Sequence, residues 1–158
     1  MTEVHEGSVG VVDTSRVLAE SKSGKSVGER LQKMNQRWHE QLALSEQQRE
    51  QAQAKIKKLT QGSQPSQIFK AQHELRMLEL SMRHIQEKAQ AELEAWSEFY
   101  QTALSQVLAQ QIEAVGKAKK LLMVLTGPNA QMPFVAQTVD ITKDAIEAFD
   151  KAFDADKL

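Results

Sequence analysis

The chain has 158 residues, with 20 basic and 21 acidic side chains for a formal net charge of -1, 41% apolar residues, 5% aromatic residues and no cysteine. Near-neutrality argues against a dedicated nucleic-acid binder, which needs a standing excess of Lys and Arg. The missing Cys excludes a disulfide framework, a thiolate nucleophile and the Cys-based zinc modules. No apolar run approaches the roughly 18 residues that a membrane-spanning helix requires.

The opening residues, MTEVHEG, carry neither a basic n-region nor an apolar h-region and so do not form a signal peptide. Residues 1–7 are expected to be disordered. SVGVVD (Ser8 to Asp13) is β-branched and brief, the pattern of a strand, and Thr14 to Ser21 fits a short helix carrying Val17 and Leu18.

Between Glu29 and Val115 only Gly62 and Pro65 interrupt the chain, and 17 of its 19 Gln fall between Gln32 and Gln111. A stretch so poor in turn residues and so rich in unbranched polar ones reads as two long helices and one turn. In the first, from Gly24 to about Thr60, the residues Val27, Leu31, Met34, Trp38 and Leu42 share a face. Beyond Leu42 the expected seam positions are Gln41, Ser45, Gln48 and Ala52, until Ile56 and Leu59 restore the apolar pattern. QGSQPS (Gln61 to Ser66) is the turn, with Gly62 suited to a left-handed C-cap and Pro65 to a helix start.

The second helix places Ile68, Ala71, Leu75, Leu78, Met82, Ile85, Ala89, Leu93, Trp96, Tyr100, Leu104, Val107, Gln111 and Ala114 on a coiled-coil repeat, with slips near Ala89 and Tyr100. At about 1.5 Å per residue the helices are roughly 55 and 75 Å long, and so short a turn makes them an antiparallel hairpin.

After Gly116, LLMVLTG (Leu121 to Gly127) and MPFVAQTV (Met132 to Val139) flank a Gly-Pro-Asn turn and read as a β-hairpin. Thr142 is the expected N-cap of a last helix with Ile146, Phe149 and Phe153 on one face. The predicted fold class is α+β: a long antiparallel α-helical coiled-coil hairpin (21–116, turn near 61–66) attached to a small β body (8–20 and 117–158). So small a body buries little alone, so oligomerisation is expected.

Several motifs look chemical. Ala19 to Ser26 fits a relaxed phosphate-loop pattern, in which Lys25 and Ser26 would meet phosphate and magnesium. Five residues separate it from the strand, however, and no metal-binding Asp ends a second strand, so a Gly-containing helix entry is the better reading. His39-Glu40 and His73-Glu74 lack a second His four residues on, and His73 and His84 are eleven residues apart, too far to share an ion. A helical hairpin offers no water-excluding pocket to tune an acid or a nucleophile, so the chain reads as a non-enzyme with no cofactor and no metal.

One stripe exceeds the needs of a seam. Phe69, His73, Met77, Leu80 and His84 lie nearly opposite Leu75, Leu78 and Met82. They offer a contact for another subunit or a surface for a transient partner, a use that suits flexible Met. From Arg49 to Arg76 there are six basic residues (Arg49, Lys55, Lys57, Lys58, Lys70, Arg76) and two acidic ones (Glu50, Glu74), a local charge of +4 at the turn.

VGVVD (Val9 to Asp13), VLAESKSGKSVGERLQKM (Val17 to Met34), the Gln-rich hairpin, LLMVLTGPNA (Leu121 to Ala130) and DITKDAIEAFDKAF (Asp140 to Phe153) together resemble the Skp/OmpH family of periplasmic chaperones. The resemblance covers nearly the whole chain. It implies a homotrimer with a central β body and three helical tentacles around a cavity that holds unfolded outer-membrane β-barrel proteins without ATP. It also supplies the periplasmic location.

On that reading Val9, Val11, Leu122, Val124, Phe134 and Val135 belong to the trimer body. Phe69, Met77 and Leu80, flanked by Lys55, Lys57, Lys58 and Lys70, meet the client, and the basic arm tips make weak contact with a membrane surface. No nucleic-acid partner is expected. The alternative is a structural coiled-coil adaptor that binds one folded partner.

Overall fold

The computed structural model describes residues 8–128, 131–154 and 157. The expectation of disorder for residues 1–7 and Asn129 of the expected turn lie outside them. The elements run β1 (Val9–Asp13), α1 (Thr14–Glu20), α2 (Lys22–Leu59), α3 (Pro65–Ala118), β2 (Met123–Gly127) and α4 (Thr142–Ala152). The chain divides into two compact units, Met1–Arg30 with Glu98–Leu158, and Leu31–Ser97.

The first unit is built around β1. Its VGVVD run is apolar nearly throughout because the strand is covered on both faces, with Val12 wholly buried and Val11 nearly so. β1 pairs in parallel with β2, from Val9 opposite Met123 to Asp13 opposite Gly127. On its other edge a parallel bridge joins Val11 to Asp140. There the Val11 amide donates to the Val139 carbonyl (2.8 Å) and the Ile141 amide to the Val11 carbonyl (2.9 Å).

The expected β-hairpin is therefore absent: residues 132–138 form no strand, and β2 pairs with the N-terminal strand instead. Pro133 removes a ladder donor from the second run. Parallel pairing of β1 with β2 is available because the intervening helices supply the long crossover that it requires.

The core between β1, α1 and α4 consists of Val12, Val17, Ile141, Thr142, Ala145 and Phe149, all at most 1% exposed, with Phe149 and Phe153 stacked at 5.5 Å between centroids. Polar groups close it. The Asp13 carboxylate caps α1 by accepting from the amides of Ser15 (3.0 Å) and Arg16 (3.2 Å). The Asp13 amide donates to the buried Thr142 hydroxyl oxygen (3.0 Å), and that hydroxyl donates to Asp140 (2.5 Å). Thr142 is thus the first residue of α4 and not its N-cap. Asp140 accepts from its amide, and the hydroxyl is spent on tying the two ends of the chain together.

In the second unit α2 and α3 run antiparallel, in the register set by Arg37 with Glu92 (3.3 Å) and Lys55 with Glu74 (3.2 Å). α3 begins at Pro65 as expected. Gly62 does not take a left-handed conformation. Instead the amides of Gly62 and Ser63 both donate to the Leu59 carbonyl, ending α2 in tightened turns.

The left-handed cap occurs at the other end of α3. Lys120, with φ of 53°, lets the Leu121 amide reach back to the Gly116 carbonyl (3.0 Å).

Over its polar stretch the α2 seam keeps the expected Leu42, Ser45 and Ala52 and departs from expectation at Gln41 and Gln48, with Arg49 sheltered in place of Gln48. Leu42, Ser45, Arg49, Ala52, Ile56 and Leu59 are the sheltered positions, stepping by three and four, while Gln41 and Gln48 are exposed. Ser45 donates to the Gln41 carbonyl (3.1 Å), and the Arg49 Nε is buried without a hydrogen-bond partner.

Seam residues Ile68 through Leu93 on α3 are buried or half-buried, but Trp96 is 39% exposed. In the first unit the buried ridge is Tyr100, Leu104, Leu108 and Ile112, four residues apart; the expected Tyr100 and Leu104 belong to it, the expected Val107 and Gln111 are half-buried beside it, and the expected Ala114 is exposed. There α3 packs against the body, Gly116 lying close to Val124, and a four-residue ridge suits that contact better than a coiled-coil seam.

Candidate functional site

The phosphate-loop segment folds as a corner between two helices. Ser21, fully buried, ends α1, and its hydroxyl accepts from the Gly24 amide (3.1 Å) to cap α2. The Lys22 amide donates to Asp150 (2.9 Å) and the Lys25 amide to the Ser21 carbonyl (3.1 Å). The amides that would cradle a phosphate are thus already committed. Gly24 serves the corner: a Cβ there would stand 1.8 Å from the Leu18 carbonyl oxygen, inside backbone that cannot yield.

His39, His73 and His84 are all exposed, and among the described residues no three His, Asp or Glu side chains gather to hold a metal. Arg16 hydrogen-bonds Glu20 (2.9 Å), holding that carboxyl below its usual value, and Lys117 does the same to Glu113. Both carboxylates are surface groups on helices, where such pairs stabilise weakly. Among the described residues no helix is long and apolar enough to cross a membrane.

What the molecule presents instead is apolar surface. In the second unit Phe69 is 70% exposed, Met77 53% and Leu80 49%, so the second stripe on α3 stands clear of the hairpin seam. Lys57, Lys58 and Lys70 are exposed near it in sequence, whereas Lys55 is engaged with Glu74. Leu44 on α2, which is not among the expected seam residues, is also exposed.

Toward its base the hairpin is pinned by polar contacts. Trp38 Nε1 donates to Glu92 (2.7 Å), while the Arg37 guanidinium bonds the same carboxylate and lies 5.7 Å from the Trp38 ring centroid. Beside Ala89, too short to fill the seam, a groove of about 320 Å³ opens between Trp38, Leu42 and Leu93.

In the first unit, of the residues expected in the body, Val11 is buried, Val9, Val124 and Val135 are half-buried, and Leu122 and Phe134 stand out into solvent. Met123 and Leu125 on β2 are exposed as well, and among the described residues the outer edge of β2 has no paired strand. A groove of about 680 Å³ runs beside β2, lined by Leu18, Leu108, Ile112, Leu121, Met123 and Val124.

A family model described as outer membrane protein (OmpH-like) matches residues 8–149. The chain belongs to this OmpH-like family. Its members are non-catalytic chaperones of the periplasm, in keeping with a surface built of apolar stripes on helices.

Among solved structures, an OmpH-like chain from Caulobacter crescentus CB15, assigned as an outer membrane chaperone, matches with a TM-score of 0.83 at 18% identity, over 94% of this chain and 87% of that one. That likeness establishes the fold: long helices with a small two-stranded open sheet is the OmpH-like architecture. No curated protein matches the chain.

Proposed function

We propose that this OmpH-like chain is an ATP-independent holdase. It binds unfolded outer-membrane β-barrel proteins and keeps them from aggregating, as a homotrimer whose arms enclose the client in the cavity between them.

The observation that carries the reading is the exposed stripe Phe69, Met77 and Leu80 on a helix whose own seam lies on its other side. Each side chain, partly covered by a client, contributes about 1 kcal/mol, a fraction of the roughly 1.5–3 kcal/mol of full burial. Contacts so weak hold a chain only in number, which three arms around one client would provide. They also release it without nucleotide hydrolysis.

The trimer is supported by the exposed apolar residues of the body, Leu122, Met123, Leu125 and Phe134, beside the open edge of β2. Lys57, Lys58 and Lys70 at the turn add a positive potential that draws anionic clients and makes weak contact with a membrane surface.

The test combines mass and holding. Light scattering should give three times the mass of one chain, and stoichiometric trimer should suppress aggregation of a diluted, unfolded outer-membrane barrel. Changing Phe69→Ser, Met77→Ser and Leu80→Ser together should remove most of that suppression at unchanged mass. A monomer would overturn the assembly, and undiminished holding by the triple variant would overturn the stripe.

A further inference from the structure

The outer stripe of α3 has a property that a plain apolar patch lacks, a rim of one charge sign, and it is long enough to seat an extended segment. Phe69, His73, Met77, Leu80 and His84 follow one another at three or four residues, a spacing of about 4.5–6 Å along the helix axis. In an extended strand the side chains of one face recur about every 6.6 Å. From Phe69 to His84 the stripe spans about 22 Å, the length of about eight extended residues.

The rim follows from the helical repeat. At about 100° per residue the stripe covers an arc of about 80°. Lys70 lies about 20° beyond one border, and Arg76 and Arg83 about 20° and 40° beyond the other. All three are exposed. The acids of this stretch sit further round: Glu74, bonded to Lys55, is about 60° beyond the first border and Glu79 about 80° beyond the second. The first acid at the stripe's edge is Glu87, past its end at His84.

Lys and Arg are donors only. An extended segment laid along the stripe presents unpaired backbone carbonyls at both edges, where these donors stand, and the field between two cationic borders favours a segment of negative charge.

Resting on the client-binding reading above, we propose that this face recognises an extended client segment in which apolar residues alternate with acidic ones. The apolar side chains seat along Phe69, Met77 and Leu80, and the edges of the segment lie between Lys70 on one side and Arg76 and Arg83 on the other. Alternation is the pattern of a strand destined to have one apolar face. The stripe thus selects by pattern and charge, beyond total hydrophobicity.

The full-length protein, titrated at low salt and followed by fluorescence anisotropy, tests this with three labelled nine-residue peptides and with vesicles of phosphatidylglycerol. One peptide alternates leucine and glutamate, one has the same composition with its leucines in a block, and one alternates leucine and lysine. The alternating acidic peptide should bind about tenfold more tightly than either of the others. Met77→Asp with Leu80→Asp, and separately Arg76→Glu with Arg83→Glu, should each weaken it at least fivefold at unchanged helicity.

Equal binding of the block peptide overturns the pattern match, and equal or tighter binding of the basic peptide overturns the rim. Vesicle binding that the same variants abolish, with no peptide binding, would make this a membrane face and overturn the proposal. If the triple Ser variant still suppresses aggregation, the client reading itself fails. If it loses suppression while the peptides bind alike, only the segment inference fails.

Discussion

The two units bury their apolar residues in opposite ways. In the first, Val12, Val17, Ile141 and Phe149 are removed from solvent almost completely and locked by capping and by hydrogen bonds between distant parts of the chain. In the second, the residues buried to a comparable class are Ser45, Ala71 and Ala89, all small, while Leu42, Leu75, Leu78, Met82 and Ile85 remain half-buried.

The difference is geometric. A body of strand and helix layers can cover a side chain from several directions, whereas a helix packed on one other helix shelters only a stripe. The hairpin therefore leans on helix propensity and marginal seam contacts, and local opening there should cost much less than opening the body.

Truncating one residue in each unit breaks or sharpens this contrast most directly. Phe149→Ala should destabilise the body by about 3–5 kcal/mol, seen as a large drop in the urea midpoint. Leu78→Ala, half-exposed at the start, should lower it by only about 1–2 kcal/mol, below the range for fully buried leucines. Equal losses would show that the arm is packed as tightly as the body.

A smaller and opposite effect is expected at the polar interruption of the α2 seam. Arg49→Leu removes the buried Nε that lacks a hydrogen-bond partner, along with the guanidinium's partly exposed pair with Glu46, which is worth little, and should stabilise the arm by about 1 kcal/mol, read as slower amide exchange along α2. The smallest is Lys120→Gly, which relieves a left-handed backbone at the end of α3. It should raise the thermal midpoint by the equivalent of about 0.5 kcal/mol, the relieved strain less the entropy cost of glycine.

Much of this was legible in the residues, because helices announce themselves by period and by the absence of breakers. The hairpin, its turn at Pro65, the short helix after β1 and the outward stripe at Phe69, Met77 and Leu80 all follow from spacing alone.

Strand pairing was not legible in the same way. An apolar run carries no record of its partner, so LLMVLTG was matched to the nearest run rather than to VGVVD, more than a hundred residues earlier, although Pro133 argued against that neighbour. In the polar stretch of the α2 seam Ser45 and Ala52 follow from spacing, but Gln48 looks no different from its neighbour Arg49 until the opposing helix is present, and Gln41 is exposed beside Leu42. Near Leu108 and Ile112 the pattern reported a second packing surface, which a two-helix reading does not contain.

The bonds that seal the body, Asp13 to Thr142, Lys22 to Asp150 and Ser23 to Phe153, each join residues 128 to 130 positions apart. Contacts of that separation form late, because loop closure must be met before they stabilise anything. The hairpin is local and shortens the effective loop between β1 and β2 once it is formed. The segment proposed to meet clients thus also acts as the scaffold on which its own chain closes, and a body mutation that slows closure would leave arms formed, with their apolar stripe exposed, before there is a body to join them.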